Sequence, residues 1–338
     1  MAASSRSTRL TCAFCSLLLI GVAAGSLKAE PYDPLQTTQR VTSETFTLTD
    51  AKRKREIPVR FYLPQEKGPR PVVLFSHGLG GSRDNSGYIG KHLAGRGYVC
   101  IYLQHPGSDI SIWRGWSAAD QKASRESASN PQNWVLRIDD IKAVVGALPE
   151  WNAKQGHPLQ GRVDTQRIGM SGHSFGALTT LGIVGQQFPM VRRSFAVPEV
   201  RAGICYSPSI MKAGNQQRSF STINRPMLLM TGTKDDTAQG TTAEMRRQVY
   251  PAMPTSIDRY ELVLDGGTHF AFSENKVRLA GMGDGERNPN HHRVIVALTT
   301  AFWDTYLRDD AEAKAWLQGK SPRQVMEKGD AWQFATAN

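Results

Sequence analysis

The chain has 338 residues, of which 40% are hydrophobic and 21% are charged. This mixture is typical of a globular protein and argues against a disordered, collagen-like or coiled-coil chain. Because one α/β domain accommodates about 250 to 300 residues, we expect one domain with terminal extensions. The net charge is +11, from 41 Lys and Arg against 30 Asp and Glu, and the basic residues are scattered along the sequence. Such a charge favours peripheral contact with anionic surfaces but identifies no partner.

The first 29 residues have the order of a secretory signal. Two arginines precede an uncharged apolar run from Leu10 to Ala24, and small residues end the segment. The run, at about 15 residues, is shorter than the roughly 20 that a membrane-spanning helix needs. We therefore expect a signal peptide over residues 1–29, cleaved after Ala29 or Ser26, and a secreted or periplasmic protein. An uncleaved membrane anchor is the alternative.

Strand-like and helix-like patterns alternate from residue 43 onward. A charged turn at 52–55 lies between two alternating runs and predicts an antiparallel hairpin. Short apolar runs predict strands that are buried on both faces. These runs are 72–75, 98–103, 168–170 and 227–230, together with the less apolar 202–206 and 259–264. Helical spacing of apolar residues predicts helices within 135–148 and 294–302, so the fold class is α/β, with a mostly parallel sheet and helices on both faces.

Residues 105–130 interrupt this alternation. They are rich in Ser, Ala and Asp, and they carry Trp113 and Trp116 among polar neighbours. A long connection in a compact domain is usually functional or mobile. One interpretation is a cap over a substrate pocket, and the other is a surface loop that the two tryptophans anchor. We expect a single domain over residues 30–338, which ends in a helical extension over 309–338.

The segment Gly172-His173-Ser174-Phe175-Gly176 matches the pattern G-x-S-x-G. A strand-like run enters it and a helix-like run leaves it, which is the context in which this pattern has chemical meaning. A tight strand-to-helix turn strains the serine backbone and needs neighbours without bulk. It also lifts the hydroxyl above the sheet, beside the N-terminus of the helix. We therefore predict Ser174 as a nucleophile.

A serine hydroxyl is a poor nucleophile until a base takes its proton and a carboxylate orients that base. On this scaffold the order along the chain is Ser, acid, His. After Ser174, His269 follows a strand in a glycine-containing loop, whereas His291 and His292 begin an amphipathic helix and are better explained as its solvated face. We predict His269 as the base.

The acid is predicted in the turn after the strand at 227–230, where two carboxylates are adjacent in sequence. The loop spacing favours Asp235, and Asp236 is the alternative. The aspartate that is not used would cap the turn or face water.

A second glycine-rich segment, FSHGLGG at 75–81, follows a buried strand. Its glycines allow backbone N–H groups to turn toward a ligand. We predict that the N–H groups of Leu79 and Phe175 bind the oxygen of a tetrahedral intermediate. A phosphate-binding loop is the competing interpretation, but the chain lacks G-x-x-x-x-G-K-[ST], which disfavours nucleotide binding.

Other side chains near these motifs receive less specific predictions. His77, His105 and His173 are expected to hydrogen-bond within the fold. Four aromatic residues are candidates for lining the substrate pocket, with ordinary core packing as the alternative: Trp113, Trp116, Tyr206 and Phe270. No His or Cys cluster has metal-ligand spacing, so no metal is expected.

The two glycine motifs resemble those of a known family. VVLFSHGLG at 72–80 and IGMSGHSFG at 168–176 are similar to the corresponding blocks of one branch of the α/β-hydrolases. That branch contains platelet-activating-factor acetylhydrolase and the bacterial dienelactone-hydrolase-like proteins. The similarity extends loosely over residues 43–307.

The resemblance implies an α/β-hydrolase fold, a triad of Ser174, Asp235 and His269, and oxyanion donors at Leu79 and Phe175. It implies no metal or organic cofactor. True dienelactone hydrolases use a cysteine where this chain has Ser174, which argues against dienelactone as the substrate.

The strand order of that fold also bears on the cysteines. Cys100 and Cys205 would fall on strands three spacings apart, which is about 14 Å at roughly 4.8 Å per step. Disulfide-bonded Cα atoms lie within about 7 Å of one another. We therefore predict two buried free thiols.

Together these features predict a secreted serine ester hydrolase of the carboxylesterase or acetylhydrolase type. Its substrate would be a small-molecule or lipid-like ester, and nucleic acid is not an expected partner. Polyester and phospholipid acyl hydrolases are alternatives within enzymes. A noncatalytic binding protein with the hydrolase fold is the alternative outside them.

Overall fold

The computed structural model describes residues 1–2, 31–113, 117–188, 194–210, 215–237, 240–274 and 288–338. Beyond its first two residues the predicted signal segment lies outside these ranges, and so does Trp116. The chain divides into two compact units, Met1–Pro31 and Tyr32–Asn338, and the strands and helices belong to the second. Within the described ranges, no helix combines the length and the apolar character needed to cross a membrane.

Among the described residues, nine strands form one sheet in the second unit. They are β1 (Val41–Asp50), β2 (Arg55–Pro64), β3 (Arg70–Ser76), β4 (Val99–Leu103), β5 (Val163–His173), β6 (Val200–Tyr206), β7 (Met227–Lys234), β8 (Arg259–Thr268) and β9 (Ala331–Ala335). Their spatial order is β1-β2-β4-β3-β5-β6-β7-β8-β9. The six strands β3 to β8 are parallel to one another. The predicted hairpin is β1 with β2, and β2 and β9 pair antiparallel with the outer strands of the parallel block.

Helices connect the strands and cover both faces of the sheet. They are α1 (Gly87–Gly95), α2 (Ala118–Ala128), α3 (Pro131–Ala153), α4 (Phe175–Val184), α5 (Gln216–Phe220), α6 (Ala243–Arg247), α7 (Val249–Ala252), α8 (Pro289–Leu307) and α9 (Ala311–Gln318). Along β3, Val72 and Leu74 pack with α3 and α4, whereas Val73 and Phe75 pack with α1 and α8. Burial of both faces explains why the parallel strands are continuously apolar. The predicted α/β class, with a mostly parallel sheet, is confirmed.

Local sequence signals define the ends of the helices that flank the site. The Asn130 side chain accepts a hydrogen bond from the N–H of Asn133, and Pro131 takes the first position of α3, where its missing N–H costs nothing. α4 ends at Val184 and is followed by Gly185, whose φ of +117° suits a residue without a Cβ. These signals place the start of α3 and the end of α4.

The cysteine prediction is confirmed. Cys100 lies on β4 and Cys205 on β6, with β3 and β5 between them. Both thiols are free and buried.

The C-terminal segment differs from the helical extension expected over 309–338. It begins as a helix, α9, but residues 331–335 form the edge strand β9. There Trp332 pairs with Leu262 and Phe334 with Tyr260 of β8. Sequence patterning missed this strand because its place depends on a partner some 70 residues earlier in the chain.

Candidate active site

Ser174 occupies the turn between β5 and α4. Its φ of +56° lies in the left-handed region, which residues other than glycine rarely adopt. A Cβ at Gly176 would collide with the Ser76 carbonyl, and one at Gly172 would collide with the Gly176 backbone. Both motif glycines are therefore required by close backbone contacts. The turn leaves Ser174 half-exposed at the carboxyl end of the parallel strands.

Three side chains from separate loops form one hydrogen-bonded row. Ser174 Oγ lies 3.0 Å from His269 Nε2, and His269 Nδ1 lies 2.7 Å from Asp235 Oδ1. Ser174 follows β5, Asp235 follows β7 and His269 follows β8. The carboxyl ends of parallel strands meet at one edge of a sheet, which is why residues so distant in sequence come together.

Asp235 is completely buried at the end of this row. Its Oδ2 accepts hydrogen bonds from Ser207 Oγ at 2.6 Å and Thr231 Oγ1 at 2.9 Å, and its Oδ1 lies 3.0 Å from Arg246 Nε. Burial alone raises the pKa of Asp235, but the adjacent His269, Arg246 and hydrogen bonds outweigh burial and lower it. The group is therefore an ionised carboxylate near neutral pH.

The neighbouring aspartate has a different environment. Asp236 is exposed, and its Oδ1 accepts a hydrogen bond of 2.8 Å from the N–H of Ala243 at the start of α6. The structure thus brings Asp235 to His269 and leaves Asp236 as a helix-capping residue.

The surroundings of Asp235 include residues that the sequence analysis missed. Ser207 directly follows β6, so the rule that strand ends share one edge could have identified it. Arg246 gave no such signal, because it lies in a short helix eleven positions after Asp235. Its guanidinium is buried, and it also donates to the backbone carbonyls of Asp235 and Ser207 at 2.8 and 2.9 Å.

The glycine-rich loop predicted to supply an oxyanion donor lies against the nucleophile. A Cβ added to Gly78 would be 3.5 Å from Ser174 Cβ. Within the described residues, the N–H groups of Leu79 and Phe175 have no acceptor. Phe175 is the first residue of α4, where the helix dipole also favours negative charge.

The four aromatic candidates for the substrate pocket differ in where they lie. Phe270 is half-buried beside the row, with its ring centroid 6.0 Å from that of His269. Trp113 is half-buried over the glycine-rich loop and donates from Nε1 to the Gly80 carbonyl at 2.8 Å. Trp116 lies outside the described residues.

The prediction for Tyr206 has to be corrected. Its side chain has 0% exposure and packs between Phe75 and Phe272, and its hydroxyl lies 2.9 Å from Thr299 Oγ1. Tyr206 ends β6 near the site, but helices cover both faces of the sheet there, and its side chain packs in the core on the face that α8 covers. It cannot line an accessible pocket.

A second Ser-His-Asp row lies beneath the glycine-rich loop. His105 Nε2 is 2.9 Å from Ser76 Oγ, and His105 Nδ1 is 3.1 Å from Asp140 Oδ2. All three side chains have 0% exposure, so no substrate can reach this serine. Burial raises the pKa of Asp140, but hydrogen bonds from His105 and Arg55 outweigh it and lower that pKa to about 2. No group of three or more His, Cys, Asp or Glu in the described ranges could hold a metal ion.

Three histidines are held neutral by the fold. Burial lowers the pKa of His105 to about 4 and that of His173 to about 3, and it lowers the pKa of His77 well below its ordinary value. Each has a structural partner, as predicted: His173 Nε2, for example, lies 3.0 Å from the His269 carbonyl.

These pKa shifts predict that the fold weakens in mild acid. Below about pH 6.5 the three histidines take up protons in the unfolded chain but not in the folded one. The free energy of unfolding should therefore fall by about 1 kcal/mol per pH unit for each histidine as the pH drops toward about 4, with no contribution from them above about 6.5. Urea titrations between about pH 7.5 and 5 measure this. A free energy of unfolding that stays constant over that range would contradict neutral burial.

Comparison with known proteins places this site in a family. The family model described as PET hydrolase-like matches residues 71–283, a range that contains Leu79, Ser174, Asp235 and His269. Cutinase cut1 of Thermobifida fusca is 26% identical over 278 residues, covering 79% of this chain and 74% of that protein. Cutinase 2 of Thermobifida cellulosilytica is 25% identical over 252 residues, covering 72% and 80%.

An acetylhydrolase matches as well. Platelet-activating factor acetylhydrolase of Cavia porcellus is 22% identical over 298 residues, covering 77% of this chain and 63% of that protein. The family model spans more than half of the chain, and its members share the α/β-hydrolase fold found here. The chain belongs to the PET hydrolase-like family of the α/β-hydrolases and is an ester-bond hydrolase of the serine type.

Proposed function

We propose that Ser174, His269 and Asp235 are the catalytic triad of this hydrolase. The observation that carries the proposal is the unbroken row from Ser174 Oγ to His269 at 3.0 Å and from His269 to Asp235 at 2.7 Å. His269 Nε2 takes the hydroxyl proton as Ser174 attacks the ester carbonyl, and returns that proton to the leaving alcohol. Asp235 holds the proton of His269 on Nδ1. Water, activated by the same imidazole, then releases the acid from the acyl-enzyme.

The N–H groups of Leu79 and Phe175 are the proposed oxyanion hole. This assignment is supported by two observations: both N–H groups lie beside Ser174, and neither has an acceptor within the described residues. As the carbonyl carbon becomes tetrahedral, its oxygen gains charge, which these donors and the N-terminus of α4 would stabilise. Donors that are fixed before the reaction need no reorganisation during it.

The surface around the row favours apolar esters that lie across it. Leu79, Trp113 and Phe270 are only half-buried, and Ile110, next to the glycine-rich loop, is 45% exposed. An open apolar rim suits a chain that extends beyond the scissile bond, as in a polyester. The relatives named cutinase and the PET hydrolase-like family favour that class, and the acetylhydrolase relative favours small or lipid-like esters. We propose polymeric and short-chain apolar esters as the substrates.

We further propose that the protein is exported. The support is the basic, apolar and small-residue order of residues 1–29, which precedes a catalytic domain proposed at 30–338. Mass spectrometry of the protein from its host tests this, since a mature N-terminus near residue 30 is expected and an intact one would indicate an anchor. The net charge of +11 would favour peripheral contact with anionic surfaces.

An ester panel tests the substrate proposal. We expect turnover of short p-nitrophenyl esters and release of soluble acid from a film of an aliphatic polyester, because both place a carbonyl on Ser174 without needing a deep pocket. Loss of p-nitrophenyl turnover with increasing acyl length, together with no release from the film, would contradict an open apolar rim. Absence of any turnover would instead favour a noncatalytic binding protein.

A further inference from the structure

The peptide between Gly78 and Leu79 is held firmly from the side opposite to its N–H. The Gly78 carbonyl oxygen contacts His77 Nδ1 at 2.6 Å, the N–H of Gly81 at 3.1 Å and Arg137 Nη2 at 3.4 Å. A trans peptide is planar, and its C=O and N–H point in opposite directions. Donors that fix the Gly78 carbonyl therefore also fix the direction of the Leu79 N–H.

The hydrogen bonds of His77 define which of its nitrogens carries the proton. The backbone N–H of His105 donates to His77 Nε2 at 3.1 Å, so Nε2 must present its lone pair. Arg137 Nη2 also lies 3.3 Å from Nδ1, but the closer Gly78 carbonyl oxygen, at 2.6 Å from Nδ1, can only accept and requires a proton there. Burial, together with the nearby Arg137, lowers the pKa of His77 well below its ordinary value, so the ring is neutral. Its single proton then lies on Nδ1 and is donated to the Gly78 carbonyl.

Arg137 supports the same loop from α3. Its guanidinium has 0% exposure, and Nη1 donates to the His77 carbonyl at 2.6 Å while Nε donates to Ser108 Oγ at 2.8 Å. Ser108 in turn accepts the N–H of Gly80 on its carbonyl at 2.9 Å. The buried cation thus joins residues on both sides of Leu79, and the loop has little freedom to turn.

We propose that His77 is a positioning residue for ester hydrolysis, acting through the Gly78 carbonyl to aim the Leu79 N–H at the tetrahedral oxygen. The proposal rests on the proposed function, since it assumes that Leu79 is an oxyanion donor. It assigns to His77 an effect on the rate of the chemical step that a merely structural histidine would not have. Arg137 holds the backbone of His77 in the place from which this contact is made.

Two substitutions separate the two hydrogen bonds of His77. In asparagine the side-chain nitrogen lies two bonds from Cβ, as Nδ1 does, so His77→Asn keeps a donor for the Gly78 carbonyl. In glutamine the polar atoms lie three bonds from Cβ, as Nε2 does, so His77→Gln keeps an acceptor for the His105 N–H. Each variant loses one buried hydrogen bond, and only His77→Gln removes the 2.6 Å contact, which is the shortest of the three to the Gly78 carbonyl. The pair is therefore matched in structural damage.

We expect His77→Gln to lower kcat for a soluble p-nitrophenyl ester roughly tenfold to a hundredfold, since a lost oxyanion donor typically costs about 10² to 10³. The KM should change by less than about threefold, because the ground-state carbonyl carries little charge. Affinity for an alkyl boronic acid, whose adduct on Ser174 is tetrahedral, should fall in parallel with kcat. His77→Asn should keep kcat within about threefold of wild type, and urea unfolding should show similar stability for both variants.

Equal kcat values in the two variants, or a loss in His77→Gln confined to KM or stability, would overturn the positioning role. A wild-type protein that hydrolyses no ester would instead remove the proposed function, so the two failures are distinguishable.

A second measurement tests the same inference without a variant. Nitrogen-15 NMR of wild-type protein labelled at histidine should show the His77 proton on Nδ1 at about pH 7, and a proton on Nε2 would overturn the inference.

Discussion

Replacing Ser174 by alanine should lower kcat for a soluble ester by about a million-fold, the loss typical when a triad nucleophile is removed. The reason is that, among the described residues, Ser174 Oγ is the hydroxyl that contacts His269 Nε2. The residual rate would come from the oxyanion donors and substrate binding. The fold should persist, because the Ser174 side chain contacts only His269 in the row and its backbone N–H still bonds the Tyr206 carbonyl at 2.9 Å. Steady-state kinetics and circular dichroism of the purified variant measure both expectations.

The buried second row provides the control for this substitution. A fluorophosphonate should label one equivalent of the wild-type protein, on the peptide that contains Ser174, and should not label Ser174→Ala. Ser76→Ala should still be labelled, because Ser76 has 0% exposure, although loss of its bond to His105 should cost about 1 kcal/mol of stability. Labelling of Ser174→Ala on any other serine, or turnover above about 1% of wild type, would mean that a different group is the nucleophile.

The parts of the fold that the sequence predicted are those governed by local constraints. The strands β3 to β8 were recognisable because burial of both faces demands continuous apolar runs. Ser174 was recognisable because Gly172 and Gly176 are imposed by backbone contacts within the turn itself. By contrast, β9 was not predicted, because its pairing with β8 depends on contacts between residues that are far apart in the sequence.

The one error within the site and the one choice left open there have an equally physical origin. A position at a strand end favours Tyr206 as a pocket residue, but its burial depends on Phe75, Phe272 and Thr299, which come from other segments of the chain. Loop spacing favours Asp235 but leaves Asp236 open as the alternative, because both follow β7 within two positions. Their environments differ through Ser207, Thr231 and Arg246, which come from other segments of the chain.

The second large effect that we expect is a loss of about 10⁴-fold in kcat for Asp235→Asn, the size seen when the acid of such a triad becomes an amide. An amide at this position must satisfy the Ser207 and Thr231 hydroxyls and Arg246, all of which are donors, with a single oxygen. The NH₂ group of the asparagine would then either meet another donor or face His269 Nδ1. If it faces Nδ1, that nitrogen must accept a hydrogen bond, so the imidazole proton moves to Nε2. Nε2 can then no longer take the proton of Ser174, and the base is lost.

Asp236→Asn is the matched control, because it makes the same chemical change one residue away. The asparagine oxygen can still accept a hydrogen bond from the Ala243 N–H at the start of α6, and the site is exposed. We therefore expect kcat to stay within about threefold of wild type and the free energy of unfolding to stay within about 1 kcal/mol of it. Steady-state kinetics of the two variants on one soluble ester make the comparison. Similar losses in both, or a larger loss in Asp236→Asn, would show that the carboxylate 2.7 Å from His269 is not the one that orients it during turnover.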